Sequence, residues 1–176
     1  MNNPNIQHAL AVAMLLERHR IRYSLGGSGL LYSLGLTDRV RDWDMLCEAP
    51  KQEVLDALQP LAVTEIQSGD HPFHSAYKLL VFKDEPQVEL IGRFAIATER
   101  GVVSLPSIAC RTWQGLQIGS PEVWYAAYSL MNREEKAALL LSYLQKNGAD
   151  RGIVQLLTEQ PLPEPMAGAL LSSIIE

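Results

Sequence analysis

Apolar positions at the start of the chain recur at helical spacing. Ile6, Ala9, Leu10, Ala13, Met14 and Leu16 fall three and four residues apart after an Asn-Pro-Asn start, which predicts an amphipathic helix from Ile6 to His19 with a basic last turn. Ile21 to Leu25 is short, β-prone and closed by Gly26-Gly27, the pattern of a strand entering a tight turn, and Gly29 to Leu36 reads as a short helix stopped near Gly35. Polar and apolar residues then alternate from Asp42 to Glu48. A strand there places Trp43, Met45 and Cys47 on one face and Asp42, Asp44 and Leu46 on the other, so two carboxylates point the same way.

Lys51 to Leu58, after Pro50, reads as a helix, Val63 to Gln67 as a strand and Ser68 to Pro72 as a loop. Ala76 to Phe82 and Gln87 to Ile91 read as two strands joined through Lys83-Asp84-Glu85-Pro86, with Glu89 on the face of Gln87. Beyond Ser107 the pattern turns helical. Ser120-Pro121-Glu122 is a helix start, with Ser as N-cap and Pro at the first position, leading into Val123 to Met131. A further helix, Arg133 to Lys146, stops at Asn147-Gly148, and Asp150 to Leu157 is one more. The tail is Pro-rich and then apolar, and Leu170, Leu171, Ile174 and Ile175 are available to dock on the core or to form a homodimer surface. With no repeat, low-complexity tract or long linker, the pattern predicts an α/β (α+β) fold in a single domain over residues 1–176. A mixed sheet flanked by helices is expected to about residue 118, and a helical C-terminal part from about 119.

Size and charge narrow the function. At 176 residues and 47% hydrophobic content, the chain can bury one core without disulfide or metal staples. A net charge of -5 and a pI near 5.4 leave excess carboxylate on the surface, which disfavours an extended nucleic-acid partner. A small anionic ligand stays compatible with that charge, because bound cations and backbone N–H groups attract it locally. Met1 to Asn5 lacks the basic start and apolar run of a secretory signal, and no apolar stretch approaches a membrane span, so the cytoplasm is the expected compartment. Cys47 and Cys110 are too few and too far apart for a disulfide framework or a zinc cluster, and both are expected as buried thiols.

Candidate chemistry gathers at three places. Gly26-Gly27-Ser28-Gly29, at a strand-to-helix junction, lets backbone N–H groups approach an anion, although such a run by itself requires no more than a turn. Fourteen positions after Ser28, Asp42-Trp43-Asp44 sets two like charges on one face of a half-buried strand, where a cation between them would relieve their repulsion. Glu89, inside the apolar run Val88-Glu89-Leu90, could add a third oxygen ligand from a neighbouring strand. His71 and His74 flank a proline that spoils regular spacing, and no zinc set completes them. Trp113, Trp124 and Tyr125 sit where core packing is the simpler account, and Tyr128 alone of these aromatics is carried as a nucleotide contact. No Ser/His/Asp or Cys/His arrangement suggests covalent hydrolase chemistry.

In order and spacing, Gly26-Gly27-Ser28, Asp42-Trp43-Asp44 and Glu89 resemble the nucleotidyltransferase superfamily of polymerase-β type. The likeness extends to Lys78-Leu79 and to Gly115-Leu116 through Ser120-Pro121-Glu122, as in small bacterial minimal nucleotidyltransferases, some of which adenylate antibiotics and some of which serve as antitoxins. The resemblance implies that Gly26, Gly27 and Ser28, with Lys78 and Tyr128, hold a nucleoside triphosphate. It implies that Asp42, Asp44 and Glu89 are both catalytic and metal-binding, with two Mg²⁺ ions or Mn²⁺ in their place. The implied reaction is transfer of a nucleoside monophosphate, AMP from ATP, to a hydroxyl of a small-molecule or protein acceptor. Two departures stand out. Tyr128 takes the place of a lysine, and in Arg133-Glu134-Glu135-Lys136-Ala137 an alanine stands where an acid is usual. A catalytically silent module for nucleotide or partner binding, an antitoxin included, is the alternative those departures motivate.

Overall fold

A computed structural model describes residues 4–175. Met1 to Asn3, the start of the segment read for a secretory signal, and Glu176 lie outside them. Helix α1 (Gln7–Arg18) buries Ala9, Ala13 and Leu16 of the predicted stripe together with Val12, while Met14 of that stripe is 50% exposed. Strand β1 (Tyr23–Gly26) runs straight into α2 (Gly27–Ser33), and β2 (Trp43–Cys47), α3 (Lys51–Ala57) and β3 (Val63–Ile66) follow. Next come the hairpin β4 (Tyr77–Val81) and β5 (Val88–Gly92), a small hairpin β6 (Ala95–Thr98) and β7 (Gly101–Ser104), and β8 (Ala109–Trp113) with β9 (Leu116–Gly119). After β9 only helices remain among the described residues: α4 (Pro121–Leu130), α5 (Glu134–Asn147), α6 (Arg151–Thr158) and α7 (Glu164–Ser172).

Seven strands form one mixed sheet in the order β3-β4-β5-β2-β1-β9-β8. The pairs β2–β5 and β1–β9 are parallel and the others antiparallel. β2 lies near the middle, with Trp43, Met45, Leu46 and Cys47 all buried, so both its faces are covered and only Asp44 breaks an otherwise apolar strand. Helix α4 is buried from Glu122 through Tyr128 and packs on α5, α6 and α7. Its cap is the expected one: the Ser120 hydroxyl accepts from the Val123 N–H at 3.1 Å. Asp150 caps α6 in the same way, accepting from Ile153 N–H at 3.0 Å.

Two sequence expectations are corrected. The stretch after Ser107 is not helical at first but forms the β8–β9 hairpin, turning through Gln114 and Gly115 at φ 47° and 82°. β8 is mostly exposed at the sheet edge, which erases the apolar alternation a strand normally shows. Cys110, on that edge, is exposed rather than buried, while Cys47 is buried as expected. Of the two roles open to the tail, docking is seen: it folds as α7 (Glu164–Ser172) and packs on the core through Leu170, leaving Leu171 54% and Ile175 60% exposed. No helix of the described residues is long and apolar enough to cross a membrane.

Candidate active site

The turn between β1 and α2 is held in shape by what lies against it. Gly27 has φ +57°, a left-handed conformation, and a β-carbon there would overlap the Asp44 carboxylate. A β-carbon at Gly26 would strike the Trp124 indole. The Ser28 hydroxyl donates to the Asp42 carbonyl at 3.3 Å, fastening the turn to the approach of β2.

Strand register brings the acids to this turn. Gly26 is opposite Asp44 on the antiparallel side of β2, and Glu89 is opposite Asp44 on its parallel side. Asp42 lies just ahead of β2, its carboxylate 3.4 Å from the Arg41 guanidinium. All three acids line a cleft of about 730 Å³ together with Ser28, Lys78 and Tyr128. Asp44 opens only toward the cleft, and protein packed behind it strips hydration from the carboxylate. Burial foremost, and then the neighbouring Asp42 charge, push its pKa from 3.8 up to about 6, against the pull of Lys78, Lys136 and Arg133.

Glu89 differs from the aspartates. Its carboxylate pairs with the Lys78 ammonium from the next strand, and no other donor reaches the buried Oε1. Asp42 and Asp44 form a like-charged pair facing the cleft, and Glu89 lines the same cleft with its charge met by Lys78. Among the described residues, no three His, Cys, Asp or Glu side chains are gathered as a metal-binding set. Two hard carboxylates side by side still match the donor chemistry of a divalent cation such as Mg²⁺.

Although the chain is acidic overall, its cleft sets Arg39, Arg41, Lys78, Arg133 and Lys136 against Asp42, Asp44, Asp70 and Glu89, a small cationic excess that favours an anion locally. Burial and the adjacent Arg133 lower the Lys136 pKa, opposed by the Asp44 charge. The Lys136 ammonium sits 5.3 Å from the centre of the Tyr128 ring. Burial raises the Tyr128 phenol, and the Asp44 charge raises it further.

No family model and no curated protein matches the sequence. Solved structures do. A crystal structure of a candidate nucleotidyltransferase from Thermotoga maritima aligns at TM-score 0.56 and 20% identity, over 78% of this chain and 90% of that one. The solution structure of the antibiotic-resistance factor ANT(2'')-Ia aligns at 0.58 and 14% identity, over 97% of this chain and 94% of that one. The crystal structure of ANT(2'')-Ia with adenylyl-2''-tobramycin aligns at 0.55 and 13%, over 96% and 98%. The chain has the nucleotidyltransferase fold. The nucleotidyltransferase resemblance read from the sequence thus has its counterpart in the fold.

On this nucleotidyltransferase fold, Ser28, Asp42, Asp44, Lys78, Glu89 and Tyr128 reach one cleft, while Gly26 and Gly27 leave room for Trp124 and Asp44 to do so. Lys78, carried as a phosphate contact, is engaged with Glu89. Sequence reading passed over Arg39 and Arg41, although their position just ahead of Asp42 was a usable signal. It also set Trp124 aside as core. Trp124 is buried, yet it lines the cleft wall.

Proposed function

We propose that this chain transfers a nucleoside monophosphate, AMP from ATP, to a hydroxyl of a small molecule or protein, working in the cytoplasm. The observation that carries this reading is the Asp42/Asp44 pair, set against a glycine turn in a cleft ringed by Arg41, Arg133 and Lys136. A part-buried carboxylate pair held close together in a cleft is costly unless a ligand completes it. ANT(2'')-Ia, of the same fold, is described bound to adenylyl-2''-tobramycin, which supports a nucleotide donor and a small-molecule acceptor.

Asp42 and Asp44 would hold Mg²⁺, two ions being the expected complement, with Mn²⁺ as a substitute. When bound, the metal neutralises and orients phosphate oxygens. Ser28 and the Gly27 backbone would meet the β- and γ-phosphates, with Arg133 and Lys136 balancing their charge. The acceptor oxygen bonds to the α-phosphorus, the bond from that phosphorus to the bridging oxygen breaks, and pyrophosphate leaves with the electron pair. The hydroxyl proton passes to a carboxylate, for which Glu89 is the candidate once Lys78 shares or releases it.

The Lys78–Glu89 pair favours one second reading, a nucleotide- or partner-binding module of the same fold that performs no transfer, an antitoxin among them. Calorimetric titration of ATP, GTP, CTP and UTP with Mg²⁺ into the wild type and an Asp42→Asn/Asp44→Asn variant separates these readings. Metal-dependent binding of one nucleotide, lost in the variant and followed by pyrophosphate release with an acceptor, supports the transferase. Binding without turnover across an acceptor screen moves the assignment to the module, and no binding by any nucleotide refutes both nucleotide readings.

A further inference from the structure

Helix α4 presents two hydrogen-bond donors that nothing in the described residues accepts. Trp124 Nε1–H and Tyr128 O–H are buried, each residue being 3% exposed, and neither has a hydrogen-bond partner. Native interiors leave few polar groups in that condition, and those left are concentrated where something else is to bind. Here the two fall four residues apart on one helix face, with ring centres 5.5 Å apart, and both side chains line the cleft.

Their surroundings say what the missing partner is. The indole edge bearing Nε1 lies against Gly26, at the mouth of the glycine turn, in space that any β-carbon at position 26 would occupy. The Tyr128 phenol lies within the field of Asp44 without bonding to it, and its ring lies under the Lys136 ammonium. An indole N–H can only donate, so the partner is an acceptor. With Lys136 and Arg133 beside it on the cleft wall, the acceptor that gains most is a negatively charged oxygen.

We infer that Trp124 Nε1–H and Tyr128 O–H are donors to polyphosphate oxygens, adding α4 to the cradle that the Gly26-Gly27 turn and Ser28 begin. This rests on the nucleotidyl-transfer reading and specifies which part of the nucleotide α4 contacts: the phosphates and not the base.

The indole ¹H–¹⁵N spectrum reads this directly, because the chain has three tryptophans and Trp43 Nε1 is already bonded to the Asn5 carbonyl at 3.0 Å, a built-in reference. Inorganic tripolyphosphate with Mg²⁺ is expected to move the Trp124 resonance downfield in a saturable way and to leave Trp43 in place, while adenosine moves neither. Tyr128→Phe keeps the ring and removes the donor, and should weaken tripolyphosphate and ATP binding by the same factor, about tenfold. A Trp124 resonance that answers to adenosine but not to tripolyphosphate overturns the inference in favour of a base contact. So does unchanged affinity in Tyr128→Phe. If ATP binds with Mg²⁺ while both of these results are obtained, this inference alone falls; if the wild type binds neither ATP nor tripolyphosphate, the transferase reading falls with it.

Discussion

Asp44 occupies the place that a β-carbon on Gly27 would take. The turn and the acid are therefore one construction: the glycine is needed by the carboxylate beside it as well as by its own backbone at φ +57°. Gly27→Ala should cost roughly 2–4 kcal/mol, combining left-handed strain with displacement of Asp44, and should abolish metal-dependent nucleotide binding. Gly35→Ala is the control, since Gly35 is also left-handed, at φ +73°, but has open space around it. There only the conformational cost of about 1–2 kcal/mol should appear in denaturant unfolding, with nucleotide binding intact.

The raised pKa of Asp44 makes stability depend on pH with a definite sign. Between 3.8 and about 6 the folded chain holds a proton that the unfolded chain has lost, so stability falls as pH rises through that window and stays lower above it. The gap corresponds to an upper value of about 3 kcal/mol. Calorimetric unfolding in EDTA should show this decline. Added Mg²⁺, which binds the ionised form, should raise the melting temperature at pH 7.5 and do little at pH 4.5.

Asp44→Asn should separate stability from activity. Asparagine keeps the shape of the side chain but removes the charge that burial and Asp42 disfavour, so the variant is expected to melt several degrees above the wild type at pH 7.5 in EDTA. Its nucleotidyl transfer, measured as pyrophosphate release, should fall by at least a hundredfold. A destabilised Asp44→Asn would mean that the carboxylate serves the fold rather than a ligand.

The Lys78–Glu89 pair lies part-buried between adjacent strands, with side chains 34% and 21% exposed. Lys78→Met leaves the Glu89 Oε1 without a donor, so it should destabilise by about 1–3 kcal/mol in chemical denaturation. The double variant Lys78→Met/Glu89→Leu should recover part of that loss. Recovery short of zero coupling would confirm that the pair interacts in solution.

Much of this architecture was legible residue by residue. Ser120 and Asp150 announced two helices because a cap is a contact between residues three apart. Alternation along β2 put Asp42 and Asp44 on one side because side chains in a strand alternate whatever the partner strand is. Gly26-Gly27 marked the turn for an equally local reason. Failures came where local pattern was silent: β8 at an exposed edge, the β6–β7 hairpin, and α7 behind two prolines.

Which residues meet across the fold was beyond any local pattern. The parallel pairing of β2 with β5 sets Asp44 beside Glu89 across more than forty residues of intervening chain, and the β4–β5 register then gives Glu89 to Lys78. Arg133 and Lys136 act on Asp44 from the start of α5, Arg41 pairs with Asp42 from a loop, and Trp124 turns from apparent core into a wall of the cleft. Periodicity, capping and turn chemistry act within a few residues, so the sequence alone determined the elements and the facing of the two aspartates. Pairing between distant segments is chosen by burial of the whole core, so only the tertiary structure decided that Asp44 meets Asp42, Lys78, Arg133 and Lys136 in one cleft.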